Sequence, residues 1–222
     1  MKQPTAILLF SRTATAEAEQ GLNLKGLDAQ LVANKLIRKA EKLARQSGLP
    51  LFRSDEQSQL SSSFGENLST AISQVFAAGF SQVLVMGNDC PQLRLSDLRK
   101  CEQKLSAGQT VLGPDFRGGA YLLGLRREDF DHERFAALSW QSASLWSDLQ
   151  ALFPAAYQLR RLRDVNKGED LLALLIFLRA DRYFAVIAQL LAAIKWPPRE
   201  EVLPPALAYR AATALRGPPV LA

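Results

Sequence analysis

Residues 82–91 read Gln-Val-Leu-Val-Met-Gly-Asn-Asp-Cys-Pro, an apolar run followed at once by a polar turn. The run up to Met86 predicts a buried strand, and Thr5–Phe10 (Thr-Ala-Ile-Leu-Leu-Phe) is a second continuous apolar run. Unbroken apolar character is typical of strands that are covered on both faces. Two such strands favour a sheet that is enclosed between layers of helices.

Amphipathic helices separate the strands along the chain. Residues 28–46 carry apolar side chains at helical spacing, and Ser63 and Glu66 have the spacing of a capping box that begins a second helix. The other patterns predict helices from Ser96 or Asp97, over 142–152 and from 168 to about 195, and strands over 50–53, 109–112, 120–125 and 157–164. The alternation predicts a three-layer α/β/α sandwich around a mostly parallel sheet.

The last part of the chain has a different character. Three Pro-Pro pairs within residues 196–222 break any long element. We therefore expect one domain over residues 1–175 and a helical, Pro-rich appendage over 176–222. The apolar segment 171–194 and this tail offer a surface for a homodimer or another partner.

Composition excludes several classes of protein. The 222 residues are 48% hydrophobic and 22% charged, which excludes intrinsic disorder, and the net charge of +5 is too weak and scattered to predict nucleic-acid binding. Charges in the middle of the apolar segment 171–194 disfavour a membrane span. Two cysteines do not make a disulfide framework, and the single His132 argues against a Ser-His-Asp triad. We expect a cytoplasmic protein without nucleic-acid or membrane partners.

Three polar clusters follow predicted strands, where α/β proteins bind ligands. Asp89, in the first cluster, is placed to hold Mg²⁺ or to cap its own turn. The second cluster, residues 113–121, contains Gly118 and Gly119, which allow a ligand close to the backbone or simply a tight turn. In the third cluster, residues 164–170, Asp164 and Asn166 alternate, so their oxygens can face one side and supply a second metal ligand.

These clusters resemble one family in their order and spacing. Gly87-Asn-Asp-Cys-Pro-Gln-Leu93, the second cluster, Trp140-Gln-Ser142 and Asp164-Val-Asn166 are similar to a bacterial group of glycosyltransferase-A-type proteins. This is the domain-of-unknown-function family 2064, related to the molybdenum-cofactor guanylyltransferases and other nucleotide-diphospho-sugar transferases. The resemblance covers about residues 5 to 175.

The resemblance implies a nucleotide-diphospho-sugar transferase fold in which a divalent metal, Mg²⁺ or Mn²⁺, holds a diphosphate. The strand-end metal ligand of the family maps onto Asp89, and its later Asp-Val-Asp segment maps onto residues 164–166. Asn166 keeps an oxygen ligand and loses a charge. Trp140 occupies the family's tryptophan position, where it either packs in the core or stacks on a base or sugar.

Two departures from the family pattern concern charge. The family has Asp before its paired glycines, where this chain has Arg117, so Asp115 is the remaining candidate for a carboxylate beside the sugar or metal. The basic Lys-Thr-Arg of the first loop is missing from residues 11–21, which contain two glutamates. Arg12 and Lys25 are the nearby cations that could contact phosphate.

Two hypotheses follow. The first is a metal-dependent glycosyl- or nucleotidyltransferase-like protein that binds a nucleotide or nucleotide-diphospho-sugar, with Asp115 and Arg117 as catalytic candidates. Its metal ligands would be Asp89 and Asn166. Its substrate-binding candidates are Arg12, Lys25, Gly118, Gly119 and Trp140. The second hypothesis is a catalytically degenerate member of the same fold that acts as a binding or interaction protein.

Overall fold

A computed structural model describes residues 4–20 and 29–174, together with residues 177, 184, 185 and 189. Six strands and seven α-helices lie in these residues, besides a 3₁₀ turn at Arg127–Asp129. The strands are β1 Thr5–Phe10, β2 Leu51–Ser54, β3 Gln82–Met86, β4 Val111–Pro114, β5 Ala120–Arg126 and β6 Tyr157–Gln158. The helices are α1 Ala14–Gln20, α2 Ala29–Gln46, α3 Phe64–Ala77, α4 Leu95–Ser106, α5 His132–Ala136, α6 Leu145–Leu152 and α7 Gly168–Ala173.

The six strands form one sheet in the order β2-β1-β3-β5-β4-β6. β1 pairs in parallel with β2 and β3, and β4 pairs in parallel with β6. β5 is antiparallel to both of its neighbours, β3 and β4. This insertion brings the turn between β4 and β5 to the sheet edge at which β1 and β3 end.

Helices cover both faces of the sheet, because the strand residues alternate between two apolar clusters. On one face, Ile7, Leu84 and Val111 pack with residues of α2 and α4. On the other face, Leu8 and Val85 pack with residues of α3, α5 and α6. The predicted three-layer α/β/α sandwich with a mostly parallel sheet is therefore confirmed.

Several predicted element boundaries differ from the structure. The predicted strand over 157–164 pairs as a strand only at β6, and an isolated bridge joins Leu162 to Asp115 farther along. Helix α6 begins at Leu145 rather than Ser142. The start of α3 is as expected, since Ser63 accepts a hydrogen bond from the Glu66 amide at 3.4 Å. α1 and α5 lie in polar stretches that have no strong apolar period, so sequence patterning did not predict them.

Most of the predicted appendage over 176–222 lies outside the described residues. Phe184 is fully buried in a third apolar cluster with Val32 and Leu36 of α2 and Leu171 of α7. The domain boundary at residue 175 and a homodimer stay predictions. Among the residues that the structure describes, no helix is both long and apolar enough to cross a bilayer.

Candidate functional site

A cavity of about 590 Å³ lies at the edge where β1 and β3 end and where β4 turns into β5. Parallel strands that end at one edge bring together the turns that follow them. Residues from all three polar clusters line this cavity: Asp89, Asp115, Arg117, Gly119, Asp164 and Asn166. The structure thus brings together the predicted catalytic and metal-binding residues.

Asp89 follows β3, lines the cavity and is half-buried. Its backbone carbonyl accepts a hydrogen bond from the Val165 amide at 2.7 Å, which holds the first and third polar clusters side by side. Burial and the Asp164 carboxylate, with smaller contributions from Glu17 and Asp115, raise the pKa of Asp89 to about 7. In the described part of the chain Asp89 has no ion-pair partner. Its negative charge is therefore poorly compensated.

Asp164 and Asn166 lie on the same side of their extended segment, as their alternation predicts. The Asn166 Nδ2 donates a hydrogen bond to Oδ2 of Asp164, whose residue is 6% exposed. Burial and the Asp115 carboxylate raise the pKa of Asp164, against the opposite effect of Arg117. Asp164 is thus the principal acidic neighbour of Asp89, while Asn166 lies two residues farther along the chain and is exposed.

Arg117 bridges two carboxylates from the third cluster. Its Nη1 lies 3.3 Å from Oδ1 of Asp164, and its Nη2 forms a closer ion pair with Oδ1 of Asp170. The hydrogen bond with Asp170 raises the pKa of Arg117. Asp170 also accepts the backbone amides of Asn166 and Lys167, both at 3.0 Å, at the start of α7. The guanidinium therefore supplies the positive charge for this side of the cavity.

Asp115 and the paired glycines form a tight turn. Oδ1 of Asp115 accepts hydrogen bonds from the Arg117 amide at 2.6 Å and the Gly119 amide at 2.8 Å. A Cβ on Gly119 would lie 2.4 Å from Oδ2 of Asp115, and Gly118 has a φ of +90°. A Cβ on Gly118 would lie 2.4 Å from the Ala143 carbonyl oxygen. Both glycines are therefore required by this packing, and Asp115 holds the turn that carries Arg117.

Aromatic rings line another part of the cavity. Phe10 packs edge-on against Phe64 with ring centroids 5.3 Å apart, and Phe64 lies 5.5 Å from Trp140. The Trp140 Nε1 donates to the Phe135 carbonyl at 2.9 Å, so the indole is fixed while it faces the cavity. Trp140 therefore packs against neighbouring rings and also lines the cavity, while its stacking on a base or sugar stays a prediction.

The first loop contributes one cation and one acid to the cavity. Arg12 and Glu17 both line it, and Glu17 lies on α1. Thr13 is held beside them by its amide, which donates to Glu56 at 2.8 Å. Lys25, the other predicted phosphate contact, lies outside the described residues.

The donor set fits a magnesium-type or manganese-type site in part. Within the described residues, no group of three or more His, Cys, Asp or Glu side chains is arranged to hold a metal ion. Mg²⁺ is usually bound through one or two carboxylates, with water and substrate phosphates completing its shell. Asp89, with Asp164 or Asn166 beside it, meets that smaller requirement.

Sequence reasoning missed some members of the site. Asp170, which forms the closer ion pair with Arg117, was not among the predicted site residues, and neither was Glu17. Glu17 faces the cavity because α1 follows β1 directly. No local pattern predicted the aromatic rings of Phe10 and Phe64 in the cavity wall.

Residues outside the site behave as structural or surface groups. His132 is partly exposed and lies between Ser73 and Glu66, with Nδ1 3.3 Å from the Ser73 Oγ and Nε2 3.3 Å from the Glu66 Oε2. Cys90 and Cys101 are buried thiols, and burial raises the pKa of each. These residues stand apart from the cavity lining.

Solved structures share this fold. A protein from Desulfovibrio desulfuricans G20, described as a candidate nucleotide-diphospho-sugar transferase, has a TM-score of 0.72 at 19% identity, over 85% of this chain and 96% of that one. Rv0371c from Mycobacterium tuberculosis H37Rv has a TM-score of 0.51 at 14% identity, over 78% and 97%. Its complex with manganese has a TM-score of 0.47 at 15% identity over the same shares. At 19% identity, the likeness to the Desulfovibrio protein establishes the nucleotide-diphospho-sugar transferase fold alone.

Sequence comparison gives the family. No protein of curated function matches the chain. The profile of DUF2064, described as an uncharacterized protein conserved in bacteria, matches residues 15–142. That match covers more than half of the chain and includes the first two polar clusters and Trp140. The chain belongs to the bacterial DUF2064 family and has the nucleotide-diphospho-sugar transferase fold.

Proposed function

We propose that this protein binds a nucleotide or a nucleotide-diphospho-sugar together with a divalent metal, and that it acts as a nucleotidyl- or glycosyltransferase. The observation that carries the proposal is the convergence of Asp89 and Asp164 in the lining of one cavity, where Asp89 has no cationic partner among the described residues. Burying such a charge is costly unless a cation accompanies it. A metal–phosphate ligand supplies that cation.

The cavity is large enough for such a ligand and offers groups that suit both its base or sugar and its phosphates. Its volume of about 590 Å³ is within the usual range for small-molecule sites. Trp140 and Phe64 offer apolar ring surface to a base or sugar, and Arg12 and Arg117 offer positive charge to phosphates. Mg²⁺ or Mn²⁺ would be held by Asp89, with an oxygen of Asp164 or Asn166 beside it. When bound, such an ion neutralises charge on a diphosphate that is attacked or leaves.

The chain's own residues position this ligand. Asp115 fixes the turn at Gly118 and Gly119 through two backbone amides, which lets the main chain lie against a ligand. Arg117, held by Asp164 and Asp170, keeps a guanidinium at the cavity wall. Because Asp115 is committed to this turn, we propose for it a positioning role and not that of a general base.

Two features of the cavity support the second candidate, a binding protein without turnover. The two carboxylates that Arg117 bridges are already compensated, and the described first loop brings Glu17 to the cavity. A glutamate beside phosphates is repulsive. The two candidates differ in what a bound nucleotide-diphospho-sugar undergoes, because only the transferase would consume it.

Thermal unfolding against nucleoside triphosphates and nucleotide-diphospho-sugars, each with Mg²⁺, Mn²⁺ or EDTA, tests the proposal. A ligand at about 100 times its dissociation constant stabilises the folded protein by roughly 2.7 kcal/mol, a shift of several degrees. We expect a shift that disappears in EDTA and in Asp89→Asn. Consumption of the stabilising compound over time would then favour the transferase, and its persistence with every acceptor tried would favour the binding protein.

Two matched variants serve as controls. Asp129→Asn removes a carboxylate at the other edge of the sheet, and Trp146→Ala removes an indole that does not line the cavity. We expect both to keep the ligand-induced shift, whereas Trp140→Ala should weaken it. A flat panel with every ligand and metal, or a shift that Asp89→Asn leaves intact, would overturn the metal–nucleotide site.

A further inference from the structure

Arg117 contacts Asp164 and therefore affects whether this carboxylate can bind a metal ion. Oδ1 of Asp164 faces the guanidinium at 3.3 Å, and Oδ2 accepts the Asn166 amide. Both oxygens of this carboxylate therefore already have donors, one of them charged. A divalent cation that approached Asp164 would meet the positive charge of Arg117 at close range. Either the ion binds without Asp164, or Arg117 leaves that carboxylate.

The two ion pairs of Arg117 are unequal. The contact with Asp164 is the longer one, while Asp170 is held more closely. The Asp170 side chain is 3% exposed and also accepts two backbone amides, so it is a rigid anchor. The Arg117 side chain is 37% exposed at the cavity wall. Arg117 can therefore release Asp164 and remain attached to Asp170.

We propose that Arg117 competes with a divalent cation for Asp164. In the free protein the ion is held weakly, through Asp89, because Arg117 occupies the second carboxylate. When the phosphates of a bound nucleotide attract Arg117, Asp164 becomes available and the ion gains a second protein ligand. This inference rests on the proposed function, and it adds a coupling between metal and nucleotide through one named side chain.

Coupling of this kind is reciprocal. If the nucleotide tightens metal binding by drawing Arg117 from Asp164, the metal tightens nucleotide binding by the same factor. Removal of the guanidinium breaks that link and leaves Asp164 open at all times. We therefore expect the loss of this positive charge to strengthen the binding of an ion without any nucleotide present, and we expect that gain to depend on Asp164.

The experiment is a Mn²⁺ titration without nucleotide, followed by the electron paramagnetic resonance signal of free Mn²⁺. Four proteins are compared: wild type, Arg117→Met, Asp164→Asn and the double variant. We expect Arg117→Met to bind Mn²⁺ roughly tenfold more tightly, the order of change seen when the surroundings of a metal site are altered. The double variant should lose that gain, because Asp164 is its source. Arg163→Met is the matched control, since Arg163 lies 4.0 Å from Asp170 and is equally exposed.

The Asp164→Asn variant keeps the test decisive if Arg117→Met does not fold. Under the proposal it binds Mn²⁺ nearly as the wild type does, because Asp164 is not yet a ligand. A loss of tenfold or more in Asp164→Asn would overturn the inference, since Asp164 would then already hold the ion. Equal affinities of wild type and Arg117→Met would also overturn it, while the proposed metal site would stand. Binding in none of the four proteins would overturn this inference, whereas the metal–nucleotide site is tested separately by the thermal-unfolding panel with nucleotides present.

Discussion

Asp89, at the cavity edge of the central sheet, and Asp129, at the opposite edge, lie in opposite electrostatic surroundings. At the opposite edge, defined by Thr110, Arg126 and Asp129, Arg126 binds Asp129 through Nε at 2.6 Å and Nη2 at 2.9 Å. Thr110 adds a hydrogen bond at 3.1 Å. The hydrogen bond with Arg126 holds the pKa of Asp129 below its usual value. At the cavity edge, burial and neighbouring carboxylates raise the pKa of Asp89 to about 7.

The contrast between the paired Asp129 and Asp89, which is unpaired in the described part of the chain, indicates which edge of the sheet holds the candidate functional site. An acid that is paired with its own arginine contributes modestly to stability, whereas an acid buried among other acids destabilises the folded state. Where an acid is buried among other acids at a cavity, a cationic ligand bound there stabilises the folded state. Perturbed carboxylates in a cleft are for this reason candidates for function.

The largest expected effect is on the free energy of unfolding at the cavity edge, and its sign is opposite to that expected for Asp129→Asn at the other edge. Asp89→Asn should raise the free energy of unfolding of the ion-free protein at pH 8 by on the order of 3 kcal/mol, since each unit of pKa shift corresponds to about 1.4 kcal/mol. The variant removes a charge that folding buries beside Asp164. Urea unfolding in EDTA measures it. A clear loss of stability in this variant would break the comparison.

Glycine-to-alanine substitutions at the two edges compare how closely the backbone is packed at each of them. Gly118 (φ +90°) lies at the cavity edge and Gly79 (φ +100°) lies before β3 at the opposite edge. Gly79→Ala should cost about 1 kcal/mol, from backbone strain alone, because nothing lies within 4 Å of its added Cβ. Gly118→Ala should cost about 1–3 kcal/mol more, because its Cβ meets the Ala143 carbonyl. Equal losses of unfolding free energy would show that this close packing does not matter.

The pH dependence of stability follows from the direction in which the pKa of Asp89 is shifted. Its pKa is higher in the folded state, about 7 against an ordinary 3.8, so the folded state binds more protons between those values. The contribution of Asp89 to stability therefore falls as pH rises from 4 to 7, by at most about 1.4 kcal/mol per pH unit. The stability difference between Asp89→Asn and wild type should grow over this range. A difference that is constant with pH would contradict the shift.

The smallest expected effect is at the opposite edge. Asp129→Asn should lower the free energy of unfolding at pH 8 by about 1 kcal/mol or less, as is usual for partly exposed ion pairs. Because the folded-state pKa of Asp129 is lowered, its contribution is present above the ordinary carboxylate pKa and is lost as pH falls through the lowered value. Urea unfolding at pH 8 and at pH 3 checks this. A larger loss at pH 3 than at pH 8 would contradict the pairing.

Much of the fold was predictable from local patterns, and the site was predictable in part. β3 was predicted with its observed bounds, and Asp89 was identified because a polar residue after a buried strand lies at a ligand-binding edge. The assignment of Asn166 as the second metal ligand stays a prediction, and the structure adds that Asp164 is the more deeply buried of the two residues. Spacing along one segment does not give its depth in the cavity, and the depth decides which oxygen approaches Asp89.

Sequence alone determined the alternation of strands and helices, because the period of apolar residues reports which faces of an element are buried. It also determined that acids and paired glycines follow strand ends. Only the tertiary structure decided that Arg117 bridges Asp164 and Asp170, which lie 47 and 53 residues farther along the chain. The antiparallel insertion of β5 between β3 and β4 places the Arg117 turn beside them. Such pairings depend on strand order, which local periodicity does not encode.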